Sequence, residues 1–308
     1  MIFSKLLRRF SLPIILLLKC MAKMRGFDKG FHIYFPNFSE RDIFIWQIKV
    51  LNPLLGIDIN LRKTNFSSIP IDIYIPVTKK DIGFLTQVVK AARENIKHPI
   101  NKIFIVGNKN DEIEGAAKLL NAVFVDELTV LGYGKTRINY VVEGDDRSGW
   151  LYQQLLKLNA DKITKMDNFL VLDADTLLIK PKIFLHKHRF IFDMSEERHE
   201  PYHKVYKKIM QKNTSSTLSF ITHYMIFNRH ILKNLKLEIE KKHNKPWDEV
   251  IIENTDYQDK SGFSEYELYG NYALHFFSKK VKFEYWFNSS SDKCPNPTKS
   301  ISFHSYSR

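Results

Sequence analysis

The sequence predicts an α/β protein with a mostly parallel, Rossmann-like sheet carrying helices on both faces. Two patterns predict it. From residue 71 onward, short β-branched runs alternate with amphipathic stretches of helical length, and parallel strands need such crossover helices. Further on, the apolar run FLVL ends in Asp173, Ala174 and Asp175, the signature of a central strand delivering two carboxylates at its carboxyl end, where ligands of such sheets gather. With 308 residues, 44% of them hydrophobic and 26% charged, the chain can build the core this requires and is not a disordered tail.

Taken in order, the chain begins with a basic segment. Residues 1–30 hold seven bases and one acid, so +6 of the net +13 lies there and +7 in the rest. The apolar run Leu12 to Leu18 is broken by Pro13 and stopped by Lys19, well short of the roughly 20 residues that span a bilayer, so no transmembrane helix is predicted. A secretory signal would share the basic start and apolar stretch, but no small-x-small cleavage site follows. Lys19, Lys23 and Arg25 instead suit a segment, residues 1–25, lying on the anionic surface of a membrane. Residues 31–69, with FHIYFPNF and IFIWQIKVLNPLLGIDI, are apolar enough to form an N-terminal extension packing on the core. Cys20 and Cys294 are too few for a disulfide framework or a zinc site, which favours a reducing compartment.

Residues 70–308 form the main domain. IDIYI, KIFIV and AVFVDE read as strands, with DIGFLTQVVKAAREN and DEIEGAAKLL as the helices between them. Residues 126–149, with four glycines and the pair Asp145 and Asp146, read as a long mobile loop serving as a lid or substrate loop. Ser148 is the expected N-cap of the helix SGWLYQQLLKLNA, whose leucines fall on one stripe, and the strand DNFLVLDAD follows. Helices are predicted in HKVYKKIMQK, RHILKNLKLEIEKKH, WDEVIIEN and SEYELYGNYALHFF, and strands in SFITHYMIF, VKFEYWF and SISFHSY.

The chemistry centres on FLVLDADTLLIKP. Two carboxylates one residue apart can hold a hard divalent cation, Mn²⁺ or Mg²⁺, which in turn neutralises a diphosphate. Together with IDIYIPVTKKD, GWLYQQLLKL, SFITHYMIFNRHIL and FSEYELYGNY in that order, this motif resembles bacterial glycosyltransferases of the GT-A (nucleotide-diphospho-sugar transferase) fold, closest to glycosyltransferase-like families without assigned substrates. The resemblance covers residues 70–308. It implies that Asp173 and Asp175 bind the metal and the sugar-nucleotide diphosphate, and that Pro76, Val77 and Thr78 border the nucleotide. Asn108 and Asp111 then lie near the base or ribose, and Gln154 and Lys157, on the helix leading into the Asp173 strand, reach the same cleft. It also implies a C-terminal histidine completing the metal shell, assigned to His304. The stretch HNKPW departs from the H-x-x-G-x-x-K-P-W pattern of family-eight enzymes in spacing and lacks the glycine, so Trp247 is read as packing and His243 is set aside.

For the base that takes the acceptor proton, Glu265 and Glu267 are the candidates. Residues two apart on a helix face different sides, and Glu265 is chosen, with Glu267 and His223 as acceptor or sugar contacts. The expected enzyme transfers a sugar to a lipid-linked or surface glycan of lipopolysaccharide or capsule type, at the cytoplasmic, inner face of a membrane. A rival reading takes LDADTLL as the nucleophile motif of haloacid-dehalogenase-type phosphatases, with Asp173 attacking phosphorus; its lower standing follows from the three strands that precede it and the lack of an Asp-Asp pair after Asp175. A non-enzymatic rival is a basic membrane-surface binding protein. No nucleic-acid partner is expected, because the bases are dispersed and not interleaved with aromatics in a recognisable module.

Overall fold

A computed structural model of the chain describes residues 40–62, 66–216, 218–290 and 298–303. The basic segment 1–30, both cysteines and His304 lie outside the described residues. The chain divides into two compact units, Met1–Gln47 and Ile48–Arg308. The described part of the first is the helix Glu40–Trp46 and Gln47. The second unit holds the sheets. No helix among the described residues is long and apolar enough to cross a membrane.

The central sheet is built from β1 (Ile71–Pro76), β2 (Ile100–Gly107), β3 (Val123–Asp126), β6 (Asn168–Leu172) and β10 (Tyr224–Asn228), in the order β10, β6, β1, β2, β3. The first four in the chain are mutually parallel and β10 runs antiparallel beside β6. This is the α/β class with a mostly parallel sheet that the sequence predicts. All six residues of β1 are buried, as they must be when both faces of a strand are covered. The polar member, Asp72, is not stranded. Its carboxylate accepts from Asn101 Nδ2 at 2.8 Å and from the backbone N–H groups of Lys165 and Met166 at 2.6 and 3.0 Å, which ties the entry of β6 to β1.

The helices Ile82–Asn95, Asp111–Leu119 and Ser148–Leu158 connect the parallel strands. The last starts differently from expectation. Ser148 is its first residue and not its cap; Asp146 Oδ1 accepts the Ser148 N–H at 2.9 Å, while the Ser148 hydroxyl accepts from Tyr140 N at 3.0 Å. Its far end is pinned by Tyr74 of β1, whose hydroxyl donates to the Leu156 carbonyl at 3.0 Å, satisfying one of the carbonyls a helix terminus leaves open.

Residues 126–149 are also corrected. They contain a helix, Glu127–Leu131, a 3₁₀ turn, Lys135–Arg137, and a hairpin of β4 (Val141–Val142) and β5 (Asp145–Asp146). Of the glycines that suggest a loop, Gly132 and Gly144 are turn residues and Gly149 lies in the helix that follows. Gly132, at φ 82°, ends the helix in the left-handed conformation that glycine adopts without strain, and Asp126 caps its start by accepting from Leu128 N.

Two small sheets complete the unit. β8 (Leu185–His186), β9 (Arg189–Met194) and β11 (Val281–Tyr285) form one, with β11 parallel to β9. β7 (Thr176–Leu178), β12 (Asn288–Ser289) and β13 (Ser300–Ser302) form the other. Helices Glu200–Met210, Arg229–His243, Trp247–Asn254 and Glu265–Phe277 match the four predicted from sequence. Trp247 is buried, as packing requires, and His243 lies against the Ile209 carbonyl, Nε2 to O 2.8 Å.

Candidate active site

β6 ends at Leu172, and Asp173, Ala174 and Asp175 turn the chain into β7. Three bonds fix this turn. The Asp173 N–H donates to the His223 carbonyl at 3.0 Å, Thr176 N to the Asp173 carbonyl at 3.1 Å, and Phe303 N to the Asp175 carbonyl at 2.9 Å. The C-terminal strand therefore closes one side of the turn: Ser302 pairs with Thr176, their hydroxyls 3.1 Å apart, and the Phe303 ring stacks on Phe84 with centroids 5.1 Å apart. His223 adopts φ 56°, a conformation that costs a non-glycine residue energy and that clusters at functional positions.

Around Asp173 the charges are concentrated. Lys157 Nζ lies 2.6 Å from Asp173 Oδ1 and 2.8 Å from Glu265 Oε1. The Tyr266 hydroxyl donates to Asp173 Oδ1 at 3.2 Å, and its ring lies under the Lys157 ammonium at 4.7 Å. On the other oxygen, His223 Nδ1 approaches Asp173 Oδ2 at 3.3 Å, and Trp286 packs against the His223 ring with centroids 5.2 Å apart. The Asp173 side chain keeps 19% exposure, while Lys157 and Glu265 keep 3% and 1%. The cluster is thus buried on one side and open at Asp173.

Burial works to raise the Asp173 carboxyl, but the Lys157 ammonium and the His223 ring outweigh it and hold the group at about 2. Lys157 is pushed the other way: burial would lower it, yet the two flanking carboxylates hold its proton above the ordinary lysine range. Glu265 is raised by burial against the pull of Lys157. Lys157 thus bridges the carboxyl groups of Asp173 and Glu265.

Glu265 and Glu267 do face different sides, as helix geometry requires, but neither faces open solvent. Glu265 opens the helix Glu265–Phe277 behind Ser264, which caps it by accepting from Glu267 N, and points to Lys157. Glu267, expected as an acceptor contact, points into the protein. Its Oε1 accepts from Ser219 Oγ at 2.7 Å and Phe220 N at 2.8 Å, its Oε2 accepts from Asn271 Nδ2 at 2.8 Å, and it is buried in that cage. Gly270 on the same helix allows the approach: a Cβ there would sit 2.5 Å from the Phe220 ring.

Among the other predicted residues, Pro76 and Val77 are buried at the end of β1 and Thr78 donates to Asp81 Oδ2 at 2.6 Å. Gly107 closes against them, where a Cβ would stand 2.7 Å from the Val77 carbonyl. Asn108 and Asp111 are exposed beyond β2. Gln154 turns away; its amide donates to Trp150 O one turn back on its own helix at 3.2 Å, and it is Gln153 whose amide reaches the Pro76 carbonyl, at 3.5 Å. Sequence reasoning missed Tyr266 and Trp286. Tyr266 carries a signal of sorts, since it sits between the two candidate glutamates, but Trp286 lies just past β11, more than 60 residues from His223, and carries none. A concavity of about 450 Å³ lined by Asn234, Leu237, Tyr272 and Phe276 shares no residue with this cluster.

Residues 83–304 match the model of a family described as a family of unknown function, DUF6492. No curated protein matches the chain. Among solved structures, mouse xyloside xylosyltransferase 1 in its apo form is similar at 11% identity and a TM-score of 0.43, over 78% of this chain and 99% of that one. The galactosyltransferase LgtC in complex with donor and acceptor sugar analogs is similar at 13% identity and a TM-score of 0.42, over 75% of this chain and 86% of that one. An active-site mutant of LgtC gives 12% identity, the same TM-score and the same coverage.

Proposed function

The chain belongs to DUF6492, a family of unknown function, and from that premise we propose that it is a glycosyltransferase of the GT-A kind, using a nucleotide-sugar donor and Mn²⁺ or Mg²⁺. The observation that carries the reading is the turn at Asp173 and Asp175: two carboxylates at the carboxyl end of a central strand, one of them held ionised at about 2 beside a buried lysine.

These residues fit a hard cation. Among the described residues no group of three His, Cys, Asp or Glu side chains gathers to hold an ion, but a small divalent cation is commonly bound by one or two carboxylates with substrate phosphates completing its shell. Asp173 and Asp175 are the two that would hold it; His304, the expected third, lies outside the described residues. Bound there, the ion would neutralise the charge that gathers on the diphosphate as the glycosidic bond to it breaks.

The chain's own residues have distinct parts in this reading. Lys157 is the fixed positive charge beside Asp173, close enough to the turn to bond a donor oxygen once one displaces part of its present shell. Glu265, expected from sequence to be the acceptor base, is 1% exposed and bonded to Lys157. We therefore give it a positioning role: it orients the ammonium and keeps it charged. His223 and Trp286 form the rim on the Asp173 Oδ2 side, where a sugar ring would pack on the aromatic faces. The basic residues 1–25, together with the usual setting of the enzymes the sequence resembles, motivate an acceptor of lipopolysaccharide or capsule type, lipid-linked or on a surface glycan, and a place at the cytoplasmic face of a membrane.

The test is Mn²⁺-dependent binding and slow hydrolysis of a panel of nucleotide sugars, with Asp173→Asn and Asp175→Asn beside the parent. Metal-dependent release of nucleotide from one donor, reduced roughly a hundredfold or more in both variants while they remain folded, is expected. Silence across the panel, with Mg²⁺-dependent release of phosphate from phosphomonoesters, would replace this reading with a phosphatase whose nucleophile is Asp173. For the membrane part, recovery in the soluble fraction at low salt, unchanged on deleting residues 1–24, would count against it.

A further inference from the structure

Far along the chain from the Asp173 turn, the segment 52–62 builds a rigid projection with aliphatic tips. Its backbone closes on itself, Ile57 N donating to Asn52 O at 2.9 Å and Gly56 N to Pro53 O at 3.1 Å. Its base is anchored in the protein interior: Ile59 N donates to Glu284 Oε1 at 2.9 Å, and Asn60 bonds both Glu284 and the backbone of Ile183. Yet Leu54, Leu55, Ile57 and Leu61 are exposed, Leu55 to 61%. A loop this well tethered does not expose four aliphatic side chains for want of a way to turn them in.

The surface beside it is basic. Arg62 Nε donates to the Gly56 carbonyl at 2.8 Å, so its guanidinium is tied to the projection. Arg62 and Lys187 bear on both His186 and Lys282, and Arg189 bears on Lys282; after burial, these cations are what depress those two groups. The strand register adds two more. Val281 pairs with Phe190 in the parallel pair β11 and β9, so Lys279 and Lys280 emerge at the same end as Arg189 and the turn that carries Lys187. Among the described residues none of these bases has an ion-pair partner. Glu284, the carboxylate that bears on Lys282, is buried and committed to Lys182, Lys299 and Asn60.

We propose that this face, the aliphatic projection 54–61 with the basic end of the β8, β9 and β11 sheet, docks on an anionic lipid bilayer. The chemistry of the two halves selects the partner. Clustered cations are attracted by anionic headgroups, each contributing about 1 kcal/mol near the surface, and aliphatic tips enter the headgroup and acyl boundary between them. A single-stranded nucleic acid would use aromatic platforms, and the projection has none. The residues of this surface are other than residues 1–25, and the proposal is independent of the glycosyltransferase reading.

Flotation of the full chain with phosphatidylcholine vesicles, with and without phosphatidylglycerol, tests it. The parent is expected to float with the anionic vesicles alone and to be released by salt. The triple change Lys187→Ser, Arg189→Ser, Lys282→Ser lowers partitioning about a hundredfold, and Leu54→Ser, Leu55→Ser, Ile57→Ser lowers it about tenfold, both with the parent's cooperative melt. If a triple variant does not fold, Leu55→Asp alone, at the most exposed tip, takes its place with the same expected direction. The proposal is overturned by a parent that does not bind anionic vesicles, by variants that bind as the parent does, by an oligonucleotide competing the parent off the vesicles, or by a parent dimer that the aliphatic changes convert to monomer without affecting flotation.

Discussion

Two lysine-centred ionic networks that each join carboxylates from distant segments are buried among the described residues, and they are built to different ends. In one, Lys157 sits between Asp173 and Glu265 at the carboxyl edge of the central sheet. In the other, Lys299 sits between Asp58 and Glu284 at 3.2 and 3.6 Å, and Lys182 between Asp193 and Glu284 at 2.7 and 3.9 Å. The second cluster closes on itself. Asn60 and Ile59 N–H occupy Glu284, the Tyr224 hydroxyl donates to Asp193 at 2.6 Å, and no member of the five is more than 4% exposed. It joins segments from residue 58 to residue 299 and is complete as it stands. The first cluster leaves Asp173 at 19% exposure beside a strained His223. Ionic pairing alone does not mark a site; an ionised group left partly open at a strand's carboxyl end does.

The comparison breaks most plainly on stability. Lys299→Met leaves Asp58 without its ion-pair partner and Glu284 with Lys182 alone, at 3.9 Å, and removing one partner of such a buried network costs about 3 to 5 kcal/mol. Urea unfolding should show that loss, while metal-dependent nucleotide release per folded molecule stays at the parent level. A loss of turnover in folded protein would mean that the closed cluster also serves the reaction.

Asp175→Asn should do the reverse. Its side chain is half-buried at the turn, so unfolding changes by less than about 1 kcal/mol, while nucleotide release falls roughly a hundredfold or more. Lys157→Met lies between the two: it removes the charge beside Asp173 and also strands Glu265, so activity and urea stability should both drop, stability by about 1 to 3 kcal/mol because water can still reach Asp173.

The sequence reveals the first cluster and hides the second for a physical reason. Asp173 and Asp175 are legible because an apolar run of four ends at them and the βαβ rhythm fixes that end as a ligand edge. Lys157 is legible because its helix runs directly into that strand. Asp58, Lys182, Asp193, Glu284 and Lys299 come from five separate segments, each an ordinary charged residue in its own neighbourhood, and only the pairing of β11 with β9 and the seating of residues 58–60 bring them together. The same holds for β8 and β9, whose partner β11 lies some 90 residues on. In residues 126–149 the glycines suggest looseness, whereas Gly132 ends a capped helix and Gly144 turns a compact hairpin.

Acid and mild alkali should separate the two clusters again. Asp58 is raised from an ordinary 3.8 to about 6, by burial first and then by Glu284, so the folded state binds its proton more tightly and its contribution to stability falls as pH rises from about 4 to about 6. Asp173 is lowered to about 2, so its contribution is present above about pH 4 and is lost as pH falls through about 2. Urea unfolding across pH should show both slopes in the parent, the first absent in Asp58→Asn and the second absent in Asp173→Asn. If one variant removed both, the clusters would be electrostatically one.

The smallest effect should come from Glu267, and it decides between a cage and a contact. Burial raises its carboxyl from an ordinary 4.5 to about 7, against the three donors that lower it, so ionising it costs stability as pH rises from about 4.5 to about 7. Glu267→Gln can keep the two bonds from Ser219 Oγ and Phe220 N through its oxygen. Its amide would then meet the amide of Asn271, which cannot turn over because its own oxygen accepts from Ser215 N and Ser216 N. One lost bond of about 1 kcal/mol is set against relief from burying a charge, so near neutral pH the variant should be no less stable than the parent and the slope between pH 4.5 and 7 should vanish. Turnover should stay at the parent level, since Glu267 bonds neither Lys157 nor Asp173. Lost turnover with unchanged unfolding would restore the acceptor contact that the sequence alone suggests and would extend the open cluster by one more turn of the helix.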